Sequence, residues 1–244
     1  MRKVGMPLAA ALVLVSLWHL AVIVTGATIF PSPLDVLRGL GELAERRILG
    51  AYIADSLFRV VAGYLAAAVI GIPLGMALGW FRLLGSAVNP LIQMLRPISP
   101  LAWMPLAVIW FGVSNAAPIF LIFLAALFPI VVAAMNAVHN IPPMYLQAGR
   151  NFGLSTWRLM TKVIVPAALP PIIVALRIAF GVAWLVLVAA EMIAVDSGLG
   201  YLIIDARNAG KRYDLVVGGM LLIGFVGLAI DSLFRLAIQD NNPA

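Results

Sequence analysis

The 244-residue sequence contains no cysteine and only two histidines, and 11% of its residues are charged. The absence of cysteine excludes disulfides, a thiolate nucleophile and cysteine-ligated metal sites. Soluble domains carry about 25% charged residues, so this low charge argues against a soluble fold. With 64% hydrophobic residues, the composition is that of a membrane protein.

A phosphate-binding loop is also missing. Such a loop needs Gly-Lys followed by Ser or Thr, but Gly210–Lys211 is followed by Arg212. We therefore expect no cofactor or metal in this chain, and expect any ATP and Mg²⁺ to be bound by a separate subunit. An intramembrane protease or prenyltransferase would need paired aspartates, a zinc motif or a Ser–His arrangement. Glu191 is the clear mid-span carboxylate, so we expect no catalytic residues.

Long apolar runs predict an all-α polytopic membrane protein with a single transmembrane domain over residues 1–244. A helix needs about 20 apolar residues to cross a hydrocarbon core of about 30 Å, and no alternating strand pattern appears. We predict six spans, at about residues 7–24, 56–80, 89–112, 116–138, 169–195 and 215–236. The first run is longer than the apolar core of a signal peptide and is interpreted as a span that starts inside.

Residues 30–50 predict an amphipathic helix that lies along the outer face. Ser32 before Pro33 is a helix start, and charged residues recur at spacings of three and four opposite a leucine-rich side. The segment is too polar to span the membrane.

Two patterns describe the spans themselves. In the second span, small residues fall every four positions and predict close helix packing: Gly63, Ala67, Gly71, Gly75 and Gly79. In the third span, Pro97, Pro100 and Pro105 predict an irregular segment. Irregular backbone at membrane depth requires protein or a water-filled cavity beside it, so this span is a candidate pathway wall.

Four charges in or near the spans are functional candidates because burying them is costly. Arg59 and Glu191 lie at matching depths near the outer ends of their helices, and we predict that they form an ion pair. Arg96 and Arg177 lie about 12 Å from the inner face at 1.5 Å per residue. With Pro100 and Glu191 they are the candidate translocation residues, because guanidinium groups bind oxyanions. Snorkelling of each charge is the alternative.

The longest polar interruption in the later part of the chain is Tyr145–Pro166, within a loop at about 139–166. Lys and Arg divide almost evenly between the two faces, and the basic N-terminus and this basic loop favour an inside location for both. A loop of this length suggests a docking surface for another protein.

The loop resembles the signature segment of bacterial ABC-importer permeases, which reads Glu-Ala-Ala, three residues, Gly, nine residues, then Ile-x-Leu-Pro. Gln147, Ala148 and Gly149 occupy the first three places, followed by Gly153 and by Val163 to Pro166. The spacing is intact, while Gln147 replaces the glutamate and Gly149 the second alanine. Other stretches are similar to the nitrate/sulfonate/taurine (bicarbonate) branch: FPSPLDVL, SLFRVVAGYLAAAVIGIPLG, PLAWMPLAVIWFG, LRIAFGVAWLVLVAAEMIA and SGLGYLI.

The resemblance implies a homodimeric permease of the bacterial inner membrane, with both termini cytoplasmic. It also implies two ATP-binding subunits, a periplasmic or lipid-anchored binding protein, and no nucleic acid partner. A short coupling helix ending at Gly153 would dock on the ATPase, and the implied coupling residues are Gln147, Ala148, Gly149, Arg150, Phe152, Gly153 and Leu154. The substrate would be a small oxyanion. The alternatives are a pyrimidine or other vitamin precursor, or an ATP-independent channel.

Overall fold

The computed structural model describes residues 2–26 and 30–239. Within them the chain is helical: α1 (Arg2–Thr25), α2 (Pro33–Glu45), α3 (Ile48–Trp80), α4 (Arg82–Leu95), a 3₁₀ turn (Pro100–Trp103), α5 (Met104–Phe111), α6 (Ala116–His139), α7 (Pro143–Asn151), α8 (Thr156–Leu159), a π turn (Met160–Ile164), α9 (Val165–Ala194), α10 (Leu199–Gly210) and α11 (Tyr213–Gln239). The all-α membrane fold is therefore confirmed.

Within residues 2–26 and 30–239, four stretches are long and apolar enough to span a membrane: α3, α6, the continuous segment Thr156–Ala194, and Tyr213–Leu236. Helix α4 and the segment Pro100–Phe111 form a fifth, broken candidate, bent by 82°. Prolines interrupt the chain at this bend, as the sequence predicts. Helix α1 contributes a shorter apolar stretch, Ala9–Thr25, and the count of six spans stays a prediction.

Two helix starts differ from the predicted span limits. Helix α4 begins at Arg82, seven residues before the predicted limit at 89, because a single residue, Phe81, separates it from α3. The segment leading into the predicted fifth span is helical from Thr156. There the Val165 amide bonds to the Met160 carbonyl, five residues back, in a π turn that precedes Pro166, a residue with no amide to donate.

The described chain forms two compact units, each with its own packing. The first comprises residues 1–56 and 196–226. In it, Ser32 is the N-cap residue of α2. The Ser32 side chain accepts a hydrogen bond from the Asp35 amide, and the Asp35 side chain accepts one from the Ser32 amide. The hydrogen bonds from Ser32 lower the pKa of Asp35. Arg212 lies 2.7 Å from Asp214 and 3.0 Å from Glu42, and these bonds raise the pKa of Arg212.

The second unit comprises residues 57–195 and 227–244 and holds every predicted site residue. Its α3 glycines pack against α6: a Cβ at Gly63 would lie 2.7 Å from the Ile119 carbonyl oxygen, and one at Gly79 would lie 2.6 Å from that of Met135. The small-residue stripe is therefore a packing surface, as the spacing predicts. Alanines of α6 and α9, including Ala134 and Ala168, are buried in the same unit.

Candidate functional site

Helix α7 ends in a Schellman motif centred on Gly153. The Gly153 amide donates to the Arg150 carbonyl at 2.9 Å, and the Leu154 amide donates to the Gly149 carbonyl at 3.1 Å. Gly153 has a φ of +70°, a conformation that costs an L-residue about 1–2 kcal/mol. Glycine is thus the residue that adopts this turn at the lowest cost in free energy.

Gly149 is buried because Leu159 of the following helix occupies the space beside it. A Cβ at Gly149 would lie 2.5 Å from Leu159 Cδ1 and 3.4 Å from Leu154 Cδ1. The glycine in place of the usual alanine therefore lets α7 and α8 approach closely across the Gly153 turn.

The residues of α7 divide between two faces. Pro143, Leu146 and Arg150 line a cavity of about 460 Å³, whereas Met144 and Gln147 are exposed outside it. Phe152 and Trp157 extend the outward surface, with 86% and 75% of their area exposed. The outward face is therefore polar at Gln147 and aromatic at its end, while Arg150 borders the protein's own cavity.

The segment after Gly153 is continuous with a membrane helix. Ser155 caps α8 by accepting a hydrogen bond from the Arg158 amide. From Thr156 the helix runs through the π turn and α9 to Ala194. A displacement of α7 would therefore act through one turn on a single long helix.

Arg59 and Glu191, which the sequence predicts to pair, lie together in the structure. Arg59 Nη1 is 2.7 Å from Glu191 Oε1, and Arg59 Nε donates to Asn115 Oδ1 at 2.8 Å. Both charged side chains are almost fully buried, and the arrangement joins α3, α9 and the start of α6. The polar groups needed to bury this pair are thus supplied by three elements.

Arg177, by contrast, has a partner that sequence reasoning did not identify. Its Nε and Nη2 atoms lie 2.6 and 2.8 Å from the two oxygens of Asp231, in a two-point ion pair. Arg235 also donates to Asp231 at 3.1 Å. The spacing of Asp231 and Arg235, four residues apart in a predicted span, is the signal that could have revealed this pair.

Arg96 and Pro100 lie at the broken span, beside a cavity of about 140 Å³. Trp103, Phe128 and Pro129 also line this cavity, whereas Arg177 is not among its lining residues. The structure therefore places Arg96 and Pro100 together and leaves Arg177 and Glu191 in separate ion pairs. Among the described residues, no group of three His, Asp or Glu side chains could hold a metal ion.

The family model described as "Binding-protein-dependent transport system inner membrane component" matches residues 69–241, well over half of the chain. The chain belongs to this family. The match includes α7, the Gly153 turn and the broken span, so the signature segment and the pathway candidates lie inside the family domain.

Two relatives support the nitrate/sulfonate/taurine branch for this permease. The nitrate import permease protein NrtB of Synechococcus elongatus is 35% identical, over 91% of this chain and 84% of its own length. The taurine transport system permease protein TauC of Escherichia coli is 34% identical, over 99% of this chain and 90% of its own.

A solved structure of the MetNI methionine ABC transporter, in an inward-facing conformation, shares the fold. One of its chains superposes with a TM-score of 0.70 at 20% identity, covering 82% of this permease and 99% of that chain. The shared fold agrees with the resemblance found in the sequence. The family model and the two relatives confirm the family assignment.

Proposed function

We propose that this permease forms the membrane pathway of an ATP-driven importer for a small oxyanion of the nitrate, sulfonate or bicarbonate type. It works as a homodimer with two ATP-binding subunits and receives substrate from a periplasmic or lipid-anchored binding protein. Both termini and α7 face the cytoplasm. The chain itself hydrolyses nothing; it converts movement of its ATPase partner into movement of its spans.

The hinged connection from α7 to α9 is the observation that carries this proposal. The outward face of α7 offers Gln147 and the exposed Phe152 to a partner, and Gly153 allows the chain to turn sharply there. The following helix then continues through the membrane without another break. Such a connection can transmit a displacement over the length of a span.

Arg96 supports the oxyanion as substrate class. Its side chain is exposed, lines the cavity at the broken span, and makes no ion pair within the described residues. A guanidinium group in that position can donate two parallel hydrogen bonds to a passing oxyanion. The relatives named for nitrate and taurine transport agree with this chemistry.

The test is uptake by proteoliposomes that contain this permease, its ATPase and its binding protein. We expect uptake of nitrate, taurine or bicarbonate, and we expect this uptake to require ATP on the side of the membrane where the ATPase lies. Uptake of a pyrimidine precursor instead would contradict the oxyanion assignment. Uptake by the permease alone would contradict the importer assignment.

A further inference from the structure

Two adjoining cavities meet at one end of the second unit, where α3 turns into α4 and α6 ends. Their volumes are about 370 and 460 Å³, and both are lined by Gly79, Arg82 and His139. The turn is tight because Gly85 packs directly against the Leu78 carbonyl. We call the two cavities together the basic pocket.

The basic pocket concentrates positive charge without acidic residues. Arg82 lines both of its cavities and Arg150 lines the larger one, while no carboxylate lines either. Within the part of the chain that the structure describes, neither guanidinium makes an ion pair. Two permanent cations at one pocket, with no internal counter-charge, favour an anion from outside the chain.

The other lining groups suit a phosphate ester. Ser86, Asn89 and Asn136 add a hydroxyl and two amides in the smaller cavity, and His139 adds a ring nitrogen shared by both cavities. These groups can donate hydrogen bonds to phosphate oxygens in addition to the two guanidinium groups. A volume of several hundred Å³ is also far larger than a nitrate or sulfonate group requires.

Apolar groups beside the pocket favour a lipid over a soluble phosphate. Trp80 lines the larger cavity at the end of the α3 span, where tryptophan commonly marks the membrane interface. Next to it, Phe81 is 57% exposed and Leu83 is 90% exposed. Acyl chains could lie along these side chains while the headgroup enters the pocket.

We propose that the basic pocket binds the phosphodiester headgroup of an anionic phospholipid. The headgroup joins Arg82 at the α3–α4 turn and His139 at the end of α6 to Arg150 of α7, three side chains that line the pocket and are exposed to reach a headgroup. Lipid occupancy therefore sets how firmly α7 is held against the bundle. Binding itself does not depend on the transport function proposed above, so each can fail separately.

The test is native mass spectrometry of the purified full-length permease, titrated with dioleoyl phosphatidylglycerol and, separately, with dioleoyl phosphatidylcholine. We expect tighter first-site binding of phosphatidylglycerol. Arg82→Gln and Arg150→Gln should each weaken it about tenfold, the loss expected for one charge-assisted hydrogen bond. Arg82→Lys, which keeps the charge, should retain most of the affinity.

Arg158→Gln is the matched control, because Arg158 is an exposed arginine of the neighbouring α8 that lines neither cavity. Unchanged phosphatidylglycerol affinity in Arg158→Gln, together with weaker binding in Arg82→Gln and Arg150→Gln, supports the pocket. Equal losses in all three variants, or none, would overturn it. Displacement of the lipid by inorganic phosphate would identify a soluble anion site, and displacement by the purified ATPase subunit would identify a protein contact; either result overturns the lipid proposal.

Discussion

Arg59 Nη1 lies 2.7 Å from Glu191 Oε1, with the two side chains exposed to only 2% and 0% of their area. Burying two charges is favourable only when each keeps its partner and its other polar contacts. The pair therefore matters less for its own net energy than for the cost of breaking it. In this bundle the break would remove one of the links between α3 and α9.

We expect Arg59→Leu to destabilise the permease by about 3–5 kcal/mol, because it removes the arginine that compensates the buried Glu191 carboxylate. The double variant Arg59→Leu/Glu191→Leu should recover most of that loss. The measurement is denaturant unfolding in detergent, with Arg38→Leu as control, since Arg38 and Asp35 form an exposed pair at 4.0 Å. A double variant no more stable than Arg59→Leu would contradict this reading of the pair.

How far the sequence predicts such contacts depends on whether the partners can be matched by depth. Arg59 and Glu191 lie at corresponding heights of two long helices, so their pairing can be inferred from the sequence. The four-residue glycine stripe defines one helix face, so the packing of that face can be inferred as well. The Asp231/Arg235 spacing marks a polar position in the last predicted span, but it does not say which neighbouring helix that position faces, because helix rotation is not encoded in the apolar pattern of a lipid-exposed span. Tertiary packing therefore selects Arg177 as the partner.

The α7 segment shows the same limit at shorter range. The signature spacing predicts the turn at Gly153, which the structure shows with a positive φ. It does not predict that Arg150 lines a cavity while Gln147 faces outward, since this depends on how α7 packs against α6. Nor does it predict the π turn before Pro166, in which the Val165 amide bonds to the Met160 carbonyl.

Variants of the Arg177–Asp231 pair test whether Arg177 is a structural residue or an anion-binding residue. We expect Arg177→Ala and Asp231→Asn each to lower stability, and their effects to be non-additive in a double-mutant cycle because the two side chains are in contact. Denaturant unfolding and oxyanion uptake should be measured together. If Arg177 instead contacts the substrate, Asp231→Asn will leave uptake intact while Arg177→Ala abolishes it.

Arg96 is the proposed pathway residue that lines the cavity at the broken span. We expect Arg96→Gln to lower oxyanion uptake by roughly tenfold, the loss of one charge-assisted contact, while the binding protein still stimulates the ATPase. Arg38→Gln, which removes a charge from the exposed Arg38–Asp35 pair, should leave uptake unchanged. Parallel loss of uptake and ATPase stimulation in Arg96→Gln would show that this residue acts on coupling and not on the substrate.

Gly149 tests the packing between α7 and α8. We expect Gly149→Ala to destabilise the segment modestly, because the new methyl group meets the end of the Leu159 side chain, Cδ1, at 2.5 Å and that side chain must shift. Truncation in Gly149→Ala/Leu159→Val should restore part of the loss. Thermal unfolding of the permease in detergent is the measurement, and Gly181→Ala, with open space around Gly181, is the control. An equal effect of both alanines would rule out the Leu159 contact as the cause.

The most direct test of the account is the ratio of ATP hydrolysed to oxyanion transported in proteoliposomes that contain Gly153→Pro. Proline fixes φ near −65°, whereas the turn holds Gly153 at +70°. Gly181→Ala serves as the matched glycine substitution. We predict that Gly153→Pro assembles with its ATPase and still hydrolyses ATP, while uptake falls at least tenfold. Normal uptake with an unchanged ratio would contradict the coupling role of the α7 turn.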